Sequence, residues 1–265
     1  MPTHLQLFIG CCGVIAFKFL SNGDNSFLIT MGEFASLVGF TLLLMRILTC
    51  NSVEGMSLNS VLCYGSSFAM KLFCFSLFEG YIPEDSTGDY LYYALNVGIL
   101  MLSMAITYLF VYKFNKTYSR NLDLVHFMYL AVATGILALA VHPGLNNDFT
   151  TDTVWTWSFY LNSVAIFPQI FMFSKKGEKV EAMTSHFVAA QFISAILKLS
   201  FHIQVYDQIN DLSSQISDLG YISGHFIVIF AVMELGLFAE FIYYYALSLA
   251  KGEPLQMPAI EPVHT

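Results

Sequence analysis

Charge is what this sequence has least of. Lys and Arg number 11 and Asp and Glu 19, so 11% of the 265 residues are charged, where soluble domains carry roughly 25%. A chain so poor in charge cannot clothe a water-facing surface on every side. Cysteine is sparse as well: the five cysteines fall at 11, 12, 50, 63 and 74 without a C-x-x-C pair, which argues for packing as small hydrophobes rather than for disulfides or thiolate metal centres. Catalytic signatures are missing: no His-Glu-x-x-His, phosphate loop or nucleophile elbow occurs, so neither an enzyme nor a bound cofactor or metal is expected. The net charge of −8 reflects acidic loops, and no nucleic-acid partner is inferred from it.

What is abundant is apolar sequence, with 56% hydrophobic and 16% aromatic residues. Runs near the ~20 residues that cross a bilayer fall at about 4 to 20, 27 to 48, 57 to 78, 91 to 112, 124 to 142, 153 to 174, 184 to 206 and 219 to 249. These predict an all-α polytopic membrane protein with no soluble domain between spans. Its expected organisation is an extra N-terminal helix in 1–25, a seven-helix core in 26–250 and a cytosolic tail in 251–265. The first run lacks the basic start and small-residue cleavage site of a signal peptide, so it reads as a retained helix. The proline-rich tail is predicted to lack fixed structure.

Cations set the orientation, because Lys and Arg in short loops stay cytosolic. Arg46, Lys113, Lys116, Arg120, Lys175, Lys176, Lys179 and Lys251 fall on one side, and the alternate loops are acidic, with Lys18 their only nearby cation. Asn115-Lys116-Thr117, the one glycosylation sequon, lies on the cytosolic side and is expected to be unused.

An internal repeat fixes the architecture further. V-E-G-M-S at Val53 to Ser57 matches V-E-A-M-T at Val180 to Thr184, and each precedes a lysine in apolar sequence, Lys71 and Lys198; 180 less 53 and 198 less 71 both give 127. Val61/Val188, Ser67/Ser194 and Leu72/Leu199 match at the same offset. Three helices (27 to 112) are thus related to three others (153 to 249), with the span 124 to 142 as linker. One linker span gives both triplets the same orientation, the parallel repeat of SWEET-type bundles, in which sites lie between the halves. Pro168-Gln169, the proline-glutamine signature of that bundle type, should bend its span.

The two lysines are the leading site candidates. Lys71 lies about 21 Å along its helix from the cytosolic end at 1.5 Å per residue, and Lys198 lies at the same depth. A lysine buried there costs roughly 2.5 to 3.5 kcal/mol, so each should face a wet cavity or a carboxylate. Candidate partners are Asp152, which opens its helix at the lumenal side, and Glu33, Glu234 and Glu240, which are expected to face protein; snorkelling of the lysine stems to the lumenal surface is the alternative. Trp155 stands where interfacial tryptophans anchor. His202 and His225, near the lumenal ends of adjacent spans, are candidates for titration in a mildly acidic compartment.

The stretch Trp155 to Glu178, W-T-W-S-F-Y-L-N-S-V-A-I-F-P-Q-I-F-M-F-S-K-K-G-E, with Thr184-Ser185-His186-Phe187 after it, resembles the fifth helix and following loop of the KDEL receptor family. The resemblance extends over about 27 to 259, and the added N-terminal span is similar to a longer receptor-like branch. It implies the seven-helix, two-bundle fold already read from the repeat. It also implies binding of C-terminal ER-retention tetrapeptides in the acidic Golgi, and return to the ER in COPI vesicles.

The same resemblance implies site residues. Lys71 stands at a ligand-holding arginine, Leu72 at its neighbouring tyrosine and Cys74 at an aspartate one turn on. Ile29 and Val205 stand at two further arginines, and Ser36 at a first-helix histidine. Asp152, Trp155 and Glu240 are kept, and Lys198 replaces a tyrosine. The lysine-rich coat signal is reduced to Lys251-Gly252-Glu253-Pro254. Because lysine offers a carboxylate a point charge where arginine offers a bidentate clamp, altered peptide recognition is expected. A small-solute transporter on the same bundle, and a paralogue that has lost ligand binding, are the competing expectations.

Overall fold

The computed structural model describes residues 26–78, 89–145, 148–177, 180–213 and 222–258. The predicted first span, 4 to 20, lies outside them. Nine α-helices occur among the described residues: α1 (Ser26–Cys50), α2 (Leu58–Leu77), α3 (Asp89–Tyr108), α4 (Phe127–Ala140), α5 (Phe149–Val164), α6 (Phe167–Lys176), α7 (Ala182–Gln204), α8 (Tyr206–Ser213) and α9 (Ser223–Lys251). A π-helical turn, Leu109–Lys113, extends α3. Helix α1, α2, α3 with its extension, α7 and α9 are each long and apolar enough to cross a membrane, and α4 is a shorter apolar helix. Met101, Met104, Ile136, Ile203 and Ile229 point outward, as a lipid-facing surface requires.

The predicted span 153 to 174 is two helices, broken at Ala165–Ile166. Pro168 has no N–H to return to the carbonyl of Val164, so the ladder opens one turn before it. The break is satisfied locally: Ser60 Oγ donates to the Ala165 carbonyl, and Ala165 N–H bonds back to Asn162 O at 3.1 Å.

Packing follows the repeat. α1 lies along α7, and α2 lies along α5, so the first helix of each half packs on the second of the other. Within each half the third helix contacts the other two, α3 touching α1 and α2, and α9 touching α5 and α7. The linker α4 lies on α5 and α2. Repeat-related residues share their burial: Val61 and Val188 are 3% and 0% exposed, Ser67 and Ser194 0% and 2%, Lys71 and Lys198 8% and 8%. Equal burial at equal offset means that the duplication is structural as well as textual.

The α1/α7 contact is close because small residues line it. A Cβ on Gly32 would meet Lys198 Cγ at 3.1 Å, and one on Gly39 would meet Gln191 Nε2 at 2.8 Å. Between them Ser36 Oγ donates to Gln191 Oε1 at 2.9 Å, and Gln191 Nε2 donates to the Ser36 carbonyl at 3.3 Å. Small residues at such spacing let backbones approach in a membrane, where polar side chains then bond across the seam. Phe40, Tyr64 and Phe187 fill the centre edge-to-face, with Phe40 ring centroids 5.5 Å from Tyr64 and 5.4 Å from Phe187.

The expected cytosolic end is held by polar contacts between halves. Gln169 Oε1 accepts from Ser57 N at 2.8 Å, and its Nε2 donates to Gly55 O at 3.0 Å. The proline-glutamine pair thus breaks one half's helix and ties it to the other half's loop. Asp123 caps α2, taking Ser57 Oγ at 2.7 Å, Asn59 N at 3.2 Å and Tyr118 OH at 2.6 Å, an anion at the positive end of a helix. Arg46, 7% exposed, lies 3.4 Å from Glu181, and Lys176 lies 3.1 Å from Glu54. Residues 252–258 of the tail depart from expectation: Val180 N–H bonds Leu255 O at 2.8 Å, and Leu255 and Met257 are 3% and 1% exposed. Two apolar side chains and a backbone bond are enough to dock them.

Candidate functional site

About 20 Å from Arg46, counted as 13 residues along α1 at 1.5 Å each, Glu33 is wholly buried, 0% exposed. Burial of a lone carboxylate in lipid would be prohibitive, and here two cations offset it. Lys71 Nζ on α2 donates to Glu33 Oε1 at 2.6 Å, and Lys198 Nζ on α7 lies 3.2 Å from Oε2. The second contact is the longer ion pair of the two. Phe68 lies under both ammonium groups, 5.0 Å from Lys71 Nζ and 5.8 Å from Lys198 Nζ, and its ring face adds a cation–π attraction to each.

Around this triad lies a cavity of about 30 Å³, room for a water and little more. Its wall combines Ile29 and Glu33 from α1, Lys71 from α2, Tyr92 from α3, Lys198, Phe201 and His202 from α7, and Glu234 from α9. Helix α5 contributes Trp155, Ser158, Phe159 and Asn162. That series repeats at intervals of three and four residues, one face of a helix. Trp155 stacks on Phe159 with centroids 6.0 Å apart, and Phe159 meets the His202 ring at 4.7 Å. His202 Nδ1 lies 2.6 Å from the Lys198 carbonyl. Asn162, 7% exposed, has an amide nitrogen with no partner among the described residues.

The structure brings together Lys71, Lys198, Trp155, Glu33, Glu234, His202 and Ile29 of the residues singled out from sequence. Asp152 is buried one turn earlier on α5, beside the Thr151 carbonyl that Cys74 Sγ meets at 3.6 Å, and does not line the cavity. Leu72 is half-buried and also outside it. Ser36 holds Gln191 rather than the site. His225 pairs with Tyr206 OH at 2.6 Å. Lys251 is exposed at the end of α9.

Glu240 requires a correction: it was expected to face protein and it is exposed. The buried stripe of α9 is Ile227, Ala231, Glu234, Phe238 and Phe241. Six residues on from Glu234 is about 240° around the helix, which turns Glu240 away from the bundle. Sequence reading missed Ser158, Phe159, Asn162, Phe201 and Tyr92. The three-and-four spacing of Trp155, Ser158, Phe159 and Asn162 was the signal available for part of that set. Among the described residues no three His, Cys, Asp or Glu side chains converge as a metal centre would need.

Duplicated three-helix halves around a small cavity that holds buried charges define an all-helical, polytopic membrane protein of the two-bundle type. Sequence comparison makes the class specific. The family described as ER lumen protein retaining receptor matches residues 52–205. ER lumen protein-retaining receptor 2 of Gallus gallus is 32% identical over 239 residues, 89% of this chain and 100% of the relative. Its counterparts in Homo sapiens and Mus musculus are each 31% identical over the same 239 residues and the same shares. The chain belongs to the ER lumen protein-retaining receptor family.

Proposed function

We propose that this protein is a retrieval receptor of ER and Golgi membranes, which binds the C-terminal retention signals of ER lumenal proteins and returns them from the Golgi to the ER. Lys71 and Lys198 hold the peptide carboxylate, and Trp155 lines its path. Lys251 is the remaining contact for a COPI coat. The observation that carries this reading is the convergence of two repeat-related lysines in an enclosed cavity in the lumenal half of a chain whose relatives are ER lumen protein-retaining receptors.

The small-solute transporter is disfavoured by the ion pairs and by Gln169, which join the halves at the cytosolic end. Loss of ligand binding is the second reading, and the observation that favours it is the occupancy of both lysines by one internal carboxylate. Binding of fluorescent tetrapeptides with free or amidated C-termini to the protein in nanodiscs separates the two. A receptor binds the free form and loses it on Lys71→Ala; failure to bind any common retrieval tail overturns the receptor reading.

A further inference from the structure

Two ammonium groups at the same depth, related by the repeat, form a site suited to a carboxylate, and the site is already filled. Glu33 places one oxygen on each lysine, at 2.6 Å and 3.2 Å. Nothing in the repeat demands an acid there. The residue at the matching offset is Tyr160, since 33 plus 127 is 160, and Tyr160 turns elsewhere, its hydroxyl bonding the Val141 carbonyl at 3.1 Å. One half alone therefore supplies the carboxylate in contact with both lysines, and Glu234 of the other half lines the same cavity.

We propose that Glu33 is the resident occupant of a carboxylate site made by Lys71 and Lys198, so that an incoming carboxylate binds by replacing it. The identity of the incoming group, a peptide C-terminus, rests on the receptor reading above. Three features carry the replacement. The free space of about 30 Å³ does not admit even a terminal residue while Glu33 is in place. The Lys198 contact is the longer, 3.2 Å against 2.6 Å, so it is the one that yields first. Asn162 on the cavity wall holds an amide nitrogen unpartnered among the described residues, buried to 7% exposure, a donor that the resident carboxylate leaves unused and a second carboxylate oxygen can take.

A tethered competitor is never diluted, and apparent affinity falls by the fraction of time the site is free. Glu33 thus acts on specificity. A small free carboxylate cannot displace it, whereas a peptide that adds contacts with Trp155 and Phe159 can.

The test uses the full chain in nanodiscs with two probes. Glu33→Gln removes the competing charge and Glu33→Asp withdraws it by one methylene while keeping the lysines compensated. Free-carboxylate tetrapeptide is expected to bind Glu33→Gln about tenfold or more tighter than the unsubstituted protein, with Glu33→Asp between, if the open fraction is about a tenth or less. The second probe is acetate, with acetamide as control: acetate raises the melting temperature of Glu33→Gln and leaves the unsubstituted protein unmoved. Acetate stabilisation without peptide binding in any variant sinks the receptor reading and keeps the resident-occupant inference. Peptide binding that is equal or weaker in Glu33→Asp and in any folded Glu33→Gln, or Glu33→Gln indifferent to acetate, overturns the inference.

Discussion

Arg46 Nε lies 3.4 Å from Glu181 Oε2, and the two residues come from opposite halves of the repeat. The matching glutamate of the first half, Glu54, reaches Lys176 of the second at 3.1 Å. The duplicated V-E motif is thus a reciprocal clasp at the expected cytosolic end, each glutamate closing on the other half.

The two clasps differ in worth. Arg46 is buried and also donates to Ser52 O at 2.5 Å and Glu54 O at 2.9 Å, so Arg46→Ala orphans backbone carbonyls as well as breaking an ion pair, a loss of about 2 to 3 kcal/mol. Lys176→Ala breaks an exposed pair of about 0 to 1 kcal/mol. Thermal unfolding in detergent should rank them in that order; equal losses would mean that Arg46 contributes only its charge.

Removing either lysine of the triad leaves Glu33 one partner, and removing both leaves it none. Lys71→Met and Lys198→Met together should therefore cost more than the two single losses combined, by about 1 to 3 kcal/mol of coupling. A double-mutant cycle on unfolding measures this. Strict additivity would show that each lysine acts without the shared carboxylate.

Gly39→Ala puts a Cβ 2.8 Å from Gln191 Nε2 and 3.3 Å from the Phe187 carbonyl. Gln191 must leave Ser36, and the expected cost is about 1 to 3 kcal/mol. Gly236→Ala on α9 meets nothing within 4 Å and should be neutral or stabilising by up to about 1 kcal/mol. Melting temperatures of the pair decide whether close approach of α1 and α7 sets the glycine requirement.

Tyr118, in the loop before α4, donates to Asp123 at 2.6 Å. Partial burial, then that hydrogen bond and the Asp123 charge, push its phenol well above the ordinary range. The folded state therefore holds the proton more tightly than the unfolded chain. The contribution is whole below the usual tyrosine value of about 10 and is lost as pH rises through the higher folded value. Tyr118→Phe should lower the melting temperature near neutrality and flatten its decline in that alkaline window; an unchanged alkaline decline would place the titration elsewhere.

The fold was legible where a single periodicity sufficed. Apolar runs marked the helices, and the 127-residue offset marked the halves, because equal positions in a repeat face equal surroundings, as Val61 and Val188 do. The site was legible in part. Lys71 and Lys198 stood out because charge in apolar sequence is costly, yet which acid met them depended on helix phase and on contacts between halves. Glu33 and Glu234 face inward and Glu240 does not, though all three lie in apolar runs. Asn162 carried no cost in sequence, since an amide is expensive only once its surroundings are known to be dry. The docked tail was hidden for the converse reason: Leu255 and Met257 are two apolar residues among prolines, too few to form a periodic signal.

The unlike pair Glu33 and Tyr160, at matching positions of the repeat, gives the cavity a direction. A duplicated interior with identical halves would offer an extended chain the same welcome whether it entered head first or tail first. With Glu33 of one half on both lysines and Glu234 of the other on the cavity wall, forward and reverse threading meet different neighbours.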